Sequence, residues 1–315
     1  MLLAFKDPLW ISFFYYIGLL HIVMNFVSVL KWVFIAFLKP AKDLKKSYGS
    51  WALVTGSTDG IGKAFAFQLA SKGLNLVLVS RSSLKLDLVS TEIKQRFPHI
   101  EIITMAIDLS EGMSYITKEI ERVVEGLDVG VLVNNVGISY PKPMYFHEVS
   151  EEVWMKVIRV NVEGTMGVTK AVLPGMLKRR KGAIVNIGSG ASVVVPSHPL
   201  YAIYGATKSY IDRFSRSLHV EYKHLGIDVQ CQVPLYVATS MVSKVALVKG
   251  SSLFVPTAED YVAAAVRRIG FEARCCPYWA HYLQWCATSF VPKGYLDAWR
   301  LSVGIQRRAN SWSFL

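Results

Sequence analysis

Three observations predict an α/β protein with a doubly wound parallel sheet preceded by one N-terminal transmembrane helix. Short apolar runs alternate with amphipathic stretches after residue 50, a glycine-rich turn follows the first of those runs, and one long uncharged run sits near the front. The chain has 315 residues and a hydrophobic fraction of 52%, enough for one large α/β domain with a sizeable core. Only 18% of residues are charged, a balance that excludes a disordered chain. The net charge of +12 suits anionic small-molecule ligands or an acidic membrane face as well as nucleic acid, and no nucleic-acid partner is expected. The four cysteines, Cys231, Cys275, Cys276 and Cys286, form neither a disulfide framework nor a metal-ligand pattern, so reduced thiols and no metal are expected.

Taken in order, Leu9 to Leu30 is 22 residues without Lys, Arg, Asp or Glu. As a helix it would be about 33 Å long, enough for a hydrocarbon core of about 30 Å. Lys31 interrupts and Trp32–Leu38 continues the run; His21 and Asn25 inside it read as tolerated polar positions. A cleaved signal is the competing reading, but the apolar part is too long and no small-residue cleavage site follows. Lys39, Lys42, Lys45 and Lys46 follow the span, against Lys6 and Asp7 before it, so the remainder is expected in the cytosol. Pro40 ends the helix, and 39–49 reads as a linker. The expected organisation is 1–49 anchor and linker, then 50–315 as one domain.

Strands are expected at Trp51–Thr55, Leu74–Ser80, Glu101–Ala106, Val129–Asn134, Gly182–Ile187 and Asp228–Val233. Helices are expected near 60–72, 84–97, 112–125, 150–180, 202–224 and 257–270. Runs such as Leu76-Val77-Leu78-Val79 are apolar throughout, as strands covered on both faces should be. The tail beyond 271 reads as aromatic and irregular.

The first strand runs into Thr55-Gly56-Ser57-Thr58-Asp59-Gly60-Ile61-Gly62 and then a helix. Glycines there permit a tight turn and close approach of a pyrophosphate to the helix N-terminus. The second strand ends in Ser80-Arg81 with no carboxylate. An arginine at that place accommodates the extra phosphate of NADP, so NADPH is the expected cofactor; a solvated strand-end arginine is the plain alternative. Asp108, after the third strand, could hold the adenine amino group or cap a helix.

Tyr204 and Lys208 lie four apart on a predicted helix and share a face, where an ammonium would favour the phenolate and lower its pKa. Alone, that spacing is one chance supplies in a chain with 15 tyrosines. Together with the 55–62 turn, Asn134-Asn135-Val136-Gly137, Asn161 and Ser189, in this order, it resembles the short-chain dehydrogenase/reductases over about residues 50–270. The resemblance implies a Rossmann sheet with Tyr204 as general acid/base. It implies that Lys208 tunes Tyr204 and binds the nicotinamide ribose, that Asn161 holds a relay water, and that Ser189 binds the substrate carbonyl. Gly56, Ser57, Gly60, Ile61, Gly62, Arg81, Asp108, Asn135, Val237 and Thr239 would complete the cofactor site. Each part has a plain reading: a turn at 134–137, a helix-interior Asn161, a strand-end cap at Ser189.

Ser189 stands 15 residues before Tyr204 and Ser192 stands 12 before it, with the family norm in between. Ser189 directly follows a strand and is preferred. Where the family has Pro-Gly, this chain has Pro234-Leu235-Tyr236, which suggests a bulkier pocket wall.

Within that family, the anchor followed by Tyr48-Gly49-Ser50-Trp51, Gly126-Leu-Asp-Val-Gly130, Phe146-His-Glu-Val149 and Gln230-Cys-Gln-Val-Pro234 resemble the microsomal very-long-chain 3-oxoacyl-CoA reductases. That resemblance implies reduction of long-chain 3-oxoacyl-CoA with NADPH, an endoplasmic reticulum membrane location, and partners among fatty-acid elongation subunits and membrane lipid. Lys178-Arg179-Arg180-Lys181 is one candidate patch for CoA phosphates, or a solvated helix end. No dilysine retrieval signal occurs in Asn310–Leu315. The rivals are a hydroxysteroid dehydrogenase with the same machinery and a catalytically weak paralogue serving as an assembly subunit.

Overall fold

The computed structural model describes residues 9–245 and 250–312; Lys6, Asp7 and the last three residues, on which two of the expectations above rest in part, lie outside them. The chain divides into two compact units, Met1–Pro40 and Ala41–Leu315.

In the first unit, α1 (Leu9–Val33) continues into a π-helical turn, Phe34–Leu38. Among the described residues, Trp10–Leu38 is the one helical run long and apolar enough to cross a membrane. Large side chains along it, Phe13, Tyr16, Leu20 and Phe26 among them, are exposed, an arrangement suited to lipid. Asn25 and Ser28 donate to the carbonyls of His21 (3.0 Å) and Met24 (2.8 Å), one turn earlier, which satisfies their polar atoms within the helix.

The second unit begins earlier than the expected linker allowed. Its first helix, α2 (Leu44–Tyr48), is capped by Asp43 and buries Leu44 and Tyr48. The Tyr48 hydroxyl donates to Asp228 Oδ2 at 2.5 Å, and Lys42 pairs with the same oxygen at 2.9 Å. There follow β1 (Trp51–Thr55), α3 (Gly60–Ser71), β2 (Asn75–Ser80), α4 (Ser83–Arg96), β3 (Ile102–Ala106), α5 (Met113–Val124) and β4 (Val129–Asn134). The second half runs α6 (Glu151–Ile158), α7 (Gly164–Arg179), β5 (Gly182–Ile187), α8 (Gly190–Val193), α9 (Ala202–Tyr222), β6 (Ile227–Gln232), α10 (Ser240–Val245), α11 (Ala258–Arg267), β7 (Arg274–Cys275), α12 (Trp279–Ser289) and α13 (Lys293–Trp312).

The strands form one parallel sheet in the order β3-β2-β1-β4-β5-β6-β7. Successive strands lie to opposite sides of β1, so the order reverses between β1 and β4 and opens a crevice at their C-terminal ends. One core packs Phe65, Leu69, Ile93 and Tyr261 against one face; the other packs Ile116, Val168, Met176 and Leu218 against the other. The interior strands are buried along their whole length, as the continuous apolar runs require.

Two expectations are corrected. The helix expected over 150–180 is interrupted by a π-helical turn, Arg159–Glu163, which places one extra residue in the coil at Asn161. The tail read as irregular holds β7 and two helices, α12 and α13. The inward face of α13 carries Leu296, Arg300 and Gly304, all buried, so an arginine breaks the apolar periodicity that marks a helix. α13 is pinned to the loops before α6 and α9 by Asp297 with Ser197, Arg308 with Glu148, and the close approach of Gly304 to Leu200.

Candidate active site

The crevice beyond β1 and β4 is a cleft of about 460 Å³. Gly56, Gly60, Ile61, Arg81, Asp108, Asn135, Ser189, Tyr204, Lys208, Val237 and Thr239 line it, so most of the expected site residues converge. Ser57, Gly62 and Asn161 are buried and do not line it.

The glycine turn is shaped by close contacts. Gly56 (φ 65°) and Gly60 (φ 51°) adopt left-handed conformations that disfavour a side chain. A Cβ on Gly62 would run into the Gly56 carbonyl oxygen and the Asn135 amide. Asp59 caps α3, accepting from Gly60 N at 2.8 Å. Asn135 staples the turn from β4: its Nδ2 donates to the carbonyls of Thr55 (3.1 Å) and Gly56 (3.3 Å). Thr55 Oγ1 returns the tie by accepting from Asn135 N at 3.0 Å. Ser57 is buried, its hydroxyl 3.4 Å from the Val79 carbonyl. This cradle, at the start of a helix, fits a dinucleotide pyrophosphate.

At the rim, Arg81 is exposed and stands 4.0 Å from Asp108. Asp108 is not a helix cap: it accepts from Ser110 N (2.9 Å) and Ser110 Oγ (2.8 Å), and α5 starts after Gly112. The exposed guanidinium, at the end of β2, is placed to meet an anion there. Thr239, at the end of the β6 loop, would lie 3.0 Å from a Cβ on Gly60, which closes the cleft from the other side.

The reactive end is built on β5 and α9. Ser189 caps the short α8, accepting from Ala191 N at 3.1 Å. Its hydroxyl also acts on the Tyr204 phenol, favouring the phenolate. Ser192 turns away and donates to the Ser189 carbonyl at 2.6 Å, which separates the two serines. Lys208 Nζ donates to the Ile187 carbonyl at 2.9 Å. Burial lowers its pKa to about 8. Burial raises that of Tyr204, with the Ser189 hydroxyl opposing. The expected lowering of Tyr204 by the Lys208 ammonium is not among the influences on it, of which burial is the largest.

Asn161 sits in the π-turn with its amide fully engaged. Oδ1 accepts from Ile138 N at 2.8 Å, while Nδ2 donates to Ile138 O at 2.9 Å and to Thr207 Oγ1 at 3.0 Å. It fixes the loop after β4 and the turn of α9 that carries Lys208. The basic patch lies elsewhere. Arg179 Nη2 donates to the carbonyl of Val129, the first residue of β4, at 2.8 Å, and Arg179 Nε pairs with Asp128 at 2.8 Å. It is at the far end of the sheet from the cleft.

A group not found by sequence reading adjoins Tyr204. The His198 ring is 6.1 Å from that of Tyr204. Arg300 Nη2 reaches His198 Nδ1 at 2.9 Å, and Arg307 Nη1 donates to the Tyr236 hydroxyl at 3.1 Å. Burial, then Arg300 and Arg307, lowers the His198 pKa to about 3. Burial would raise Tyr236, but the two guanidiniums lower it. Two arginines seven apart at the end of the sequence were the available signal.

A family profile described as short chain dehydrogenase matches residues 50–248. The chain is 55% identical over 307 residues to a very-long-chain 3-oxoacyl-CoA reductase-like protein of Arabidopsis thaliana, covering 97% of both. It is 45% identical over 247 residues to a very-long-chain 3-oxoacyl-CoA reductase of Mus musculus, covering 78% of this chain and 76% of that one. It is 40% identical over 282 residues to an inactive hydroxysteroid dehydrogenase-like protein 1 of Homo sapiens, covering 90% of this chain and 84% of that one. Among solved structures, a short-chain dehydrogenase from Sphingobium yanoikuyae in complex with NADPH superposes with a TM-score of 0.64 at 26% identity, covering 78% of this chain and 95% of that one. A 7beta-hydroxysteroid dehydrogenase shares the fold with a TM-score of 0.73 at 22% identity, covering 82% and 99% respectively.

Proposed function

The chain belongs to the short-chain dehydrogenase family of NAD(P)-dependent oxidoreductases, and on that footing we propose that it reduces the 3-keto group of long or very-long-chain 3-oxoacyl-CoA with NADPH. The observation that carries the reading is the convergence of Ser189, Tyr204 and Lys208 in the dinucleotide cleft, with Lys208 fixed on the Ile187 carbonyl. The 55% identity to a reductase-like protein of that name supports the substrate class. The nicotinamide, when bound, supplies hydride to C3.

The residues divide the remaining work. Ser189 donates to the ketone oxygen and orients it towards Tyr204. Tyr204 gives its proton to that oxygen as negative charge develops there. Lys208, fixed on Ile187, would hold the ribose hydroxyls of the bound nucleotide and lend positive charge to the site. Asn161 keeps the Ile138 loop and α9 in register; a relay water would meet its main-chain carbonyl, which also accepts from Thr165 Oγ1 at 3.0 Å. Arg81 would receive the ribose phosphate, Asp108 the adenine amino group, and Val237 and Thr239 would border the nicotinamide carboxamide.

The same reading places the apolar run 9–38 as a span of the endoplasmic reticulum membrane, with the catalytic unit in the cytosol among fatty-acid elongation subunits. A second reading, a catalytically weak paralogue or a hydroxysteroid dehydrogenase, is favoured by the 40% identity to an inactive hydroxysteroid dehydrogenase-like protein. The presence of Ser189 and Tyr204 in one cleft with the engaged Lys208 favours turnover. The test is isotopic. NADPH deuterated at the transferable position should leave deuterium on C3 of the 3-hydroxyacyl-CoA formed; an unlabelled product, or none, contradicts the reading.

A further inference from the structure

Arg300 is a cation inside the protein, with 8% of its surface exposed. Its neighbours are neutral acceptors: His198 Nδ1 at 2.9 Å and the Tyr236 hydroxyl at 3.5 Å from its two terminal nitrogens. Among the described residues no carboxylate pairs with it, and its buried Nε has no hydrogen-bond partner. A guanidinium removed from water is costly unless acceptors satisfy all its donors. His198 stays neutral at physiological pH, so it adds no second charge and offers a lone pair.

The position of this group gives it a use. His198 stands against the Tyr204 ring at 6.1 Å between centroids, and Tyr236 directly follows Leu235, which lines the cleft. Arg300 is thus joined to the proton donor through one side chain, His198. A 3-oxoacyl thioester carries a second carbonyl oxygen one methylene from the reacting carbon. An isolated ketone has no acceptor there. A planar guanidinium beside a hydroxyl is suited to hold such an oxygen.

We propose that Arg300, with Tyr236, forms the subsite that receives the thioester carbonyl, so that the enzyme recognises a 1,3-dicarbonyl rather than an isolated ketone. The inference rests on the reading of the chain as a 3-oxoacyl reductase. Arg300 acts in it as a specificity residue, and α13 is its carrier.

The test uses the full chain in detergent with NADPH and three probes. These are a long-chain 3-oxoacyl-CoA, the same acyl group as its N-acetylcysteamine thioester, and the methyl ketone of equal length, followed as substrate or as inhibitor. Arg300→Met should lower kcat/KM about 30-fold on both thioesters and leave the methyl ketone within about threefold, as the loss of one charged hydrogen bond would. Arg300→Lys should recover part of the loss. Tyr236→Phe should shift the ratio in the same direction by about fivefold, and it decides the matter alone if Arg300→Met does not bind NADPH and so has not folded. A uniform loss on all three probes makes Arg300 a strut and overturns the proposal. So does a loss confined to the CoA thioester, which would mean that phosphates are read. A wild-type chain that reduces neither thioester overturns the functional reading itself, whereas thioester reduction with an unchanged ratio in the variants overturns only this inference.

Discussion

Tyr204→Phe removes one oxygen from the cleft and leaves the glycine cradle intact. Turnover should vanish while NADPH affinity stays within about tenfold, or about 1.4 kcal/mol; a variant that keeps a tenth of the wild-type rate would remove Tyr204 from the mechanism. Arg81→Asp should reverse the cofactor preference, because the exposed guanidinium at the end of β2 is replaced by a carboxylate facing the ribose phosphate. The comparison is kcat/KM with NADPH and NADH, and equal values in the wild type would refute the role. Acid should also find a weak point. Burial lowers His198 from 6.5 to about 3 and His281 from 6.5 to about 4. Below about 6.5 the unfolded chain takes up protons that the fold refuses, so stability falls as pH drops, by at most about 1.4 kcal/mol per pH unit for each histidine. Glu148 acts in the same direction but only below its ordinary value of 4.5. Thermal unfolding between pH 6.5 and 5 should show the slope, and His198→Gln should flatten it; an unchanged slope would place the proton uptake elsewhere. At this scale the sequence was informative where chemistry is tied to order along the chain, as for Tyr204, Lys208 and Ser189. It was silent on Tyr204's raised pKa, because burial depends on neighbours such as Tyr236 that no local pattern names.

The alternating elements were legible because the sheet is parallel and covered on both faces, so each strand is an apolar run. α2 was not, being five residues long and rich in lysine. Its hold is tertiary: the Tyr48 hydroxyl and Lys42 both reach Asp228, at the start of β6. Tyr48→Phe should therefore cost about 1–3 kcal/mol in thermal unfolding, since it strips a donor from a largely buried carboxylate. A chain beginning at Ala41 should melt well above one beginning at Ser50; equal melting temperatures would make 41–49 a passive linker. The π-turn at Arg159–Glu163 was hidden for another reason. Nothing local in the sequence marks the extra residue, and the cause lies in Asn161's bonds to Ile138, far away in sequence. α13 was missed because Arg300 occupies an inward position, where an apolar residue is the usual sign of a helix.

The whole molecule joins a candidate span to a reductase fold. If the run 9–38 crosses the membrane with the catalytic unit in the cytosol, protease should remove a C-terminal tag from intact microsomes. Protection until detergent is added would reverse the orientation. Deleting 1–38 should leave the active site in place, because every residue of the cleft follows Ser50. It should lower activity on long acyl-CoAs more than on short ones, since long chains partition into lipid. The +12 charge, which left several partner classes open in the sequence, accords with anionic ligands such as NADPH and CoA. The central claim is the substrate. The most direct measurement is NADPH oxidation by the purified full chain in detergent, with a very-long-chain 3-oxoacyl-CoA and a ketosteroid assayed side by side. The account predicts a kcat/KM at least about a hundredfold higher for the 3-oxoacyl-CoA, a difference of about 2.7 kcal/mol in transition-state binding. Equal or greater efficiency on the ketosteroid, or no oxidation with either, would contradict it.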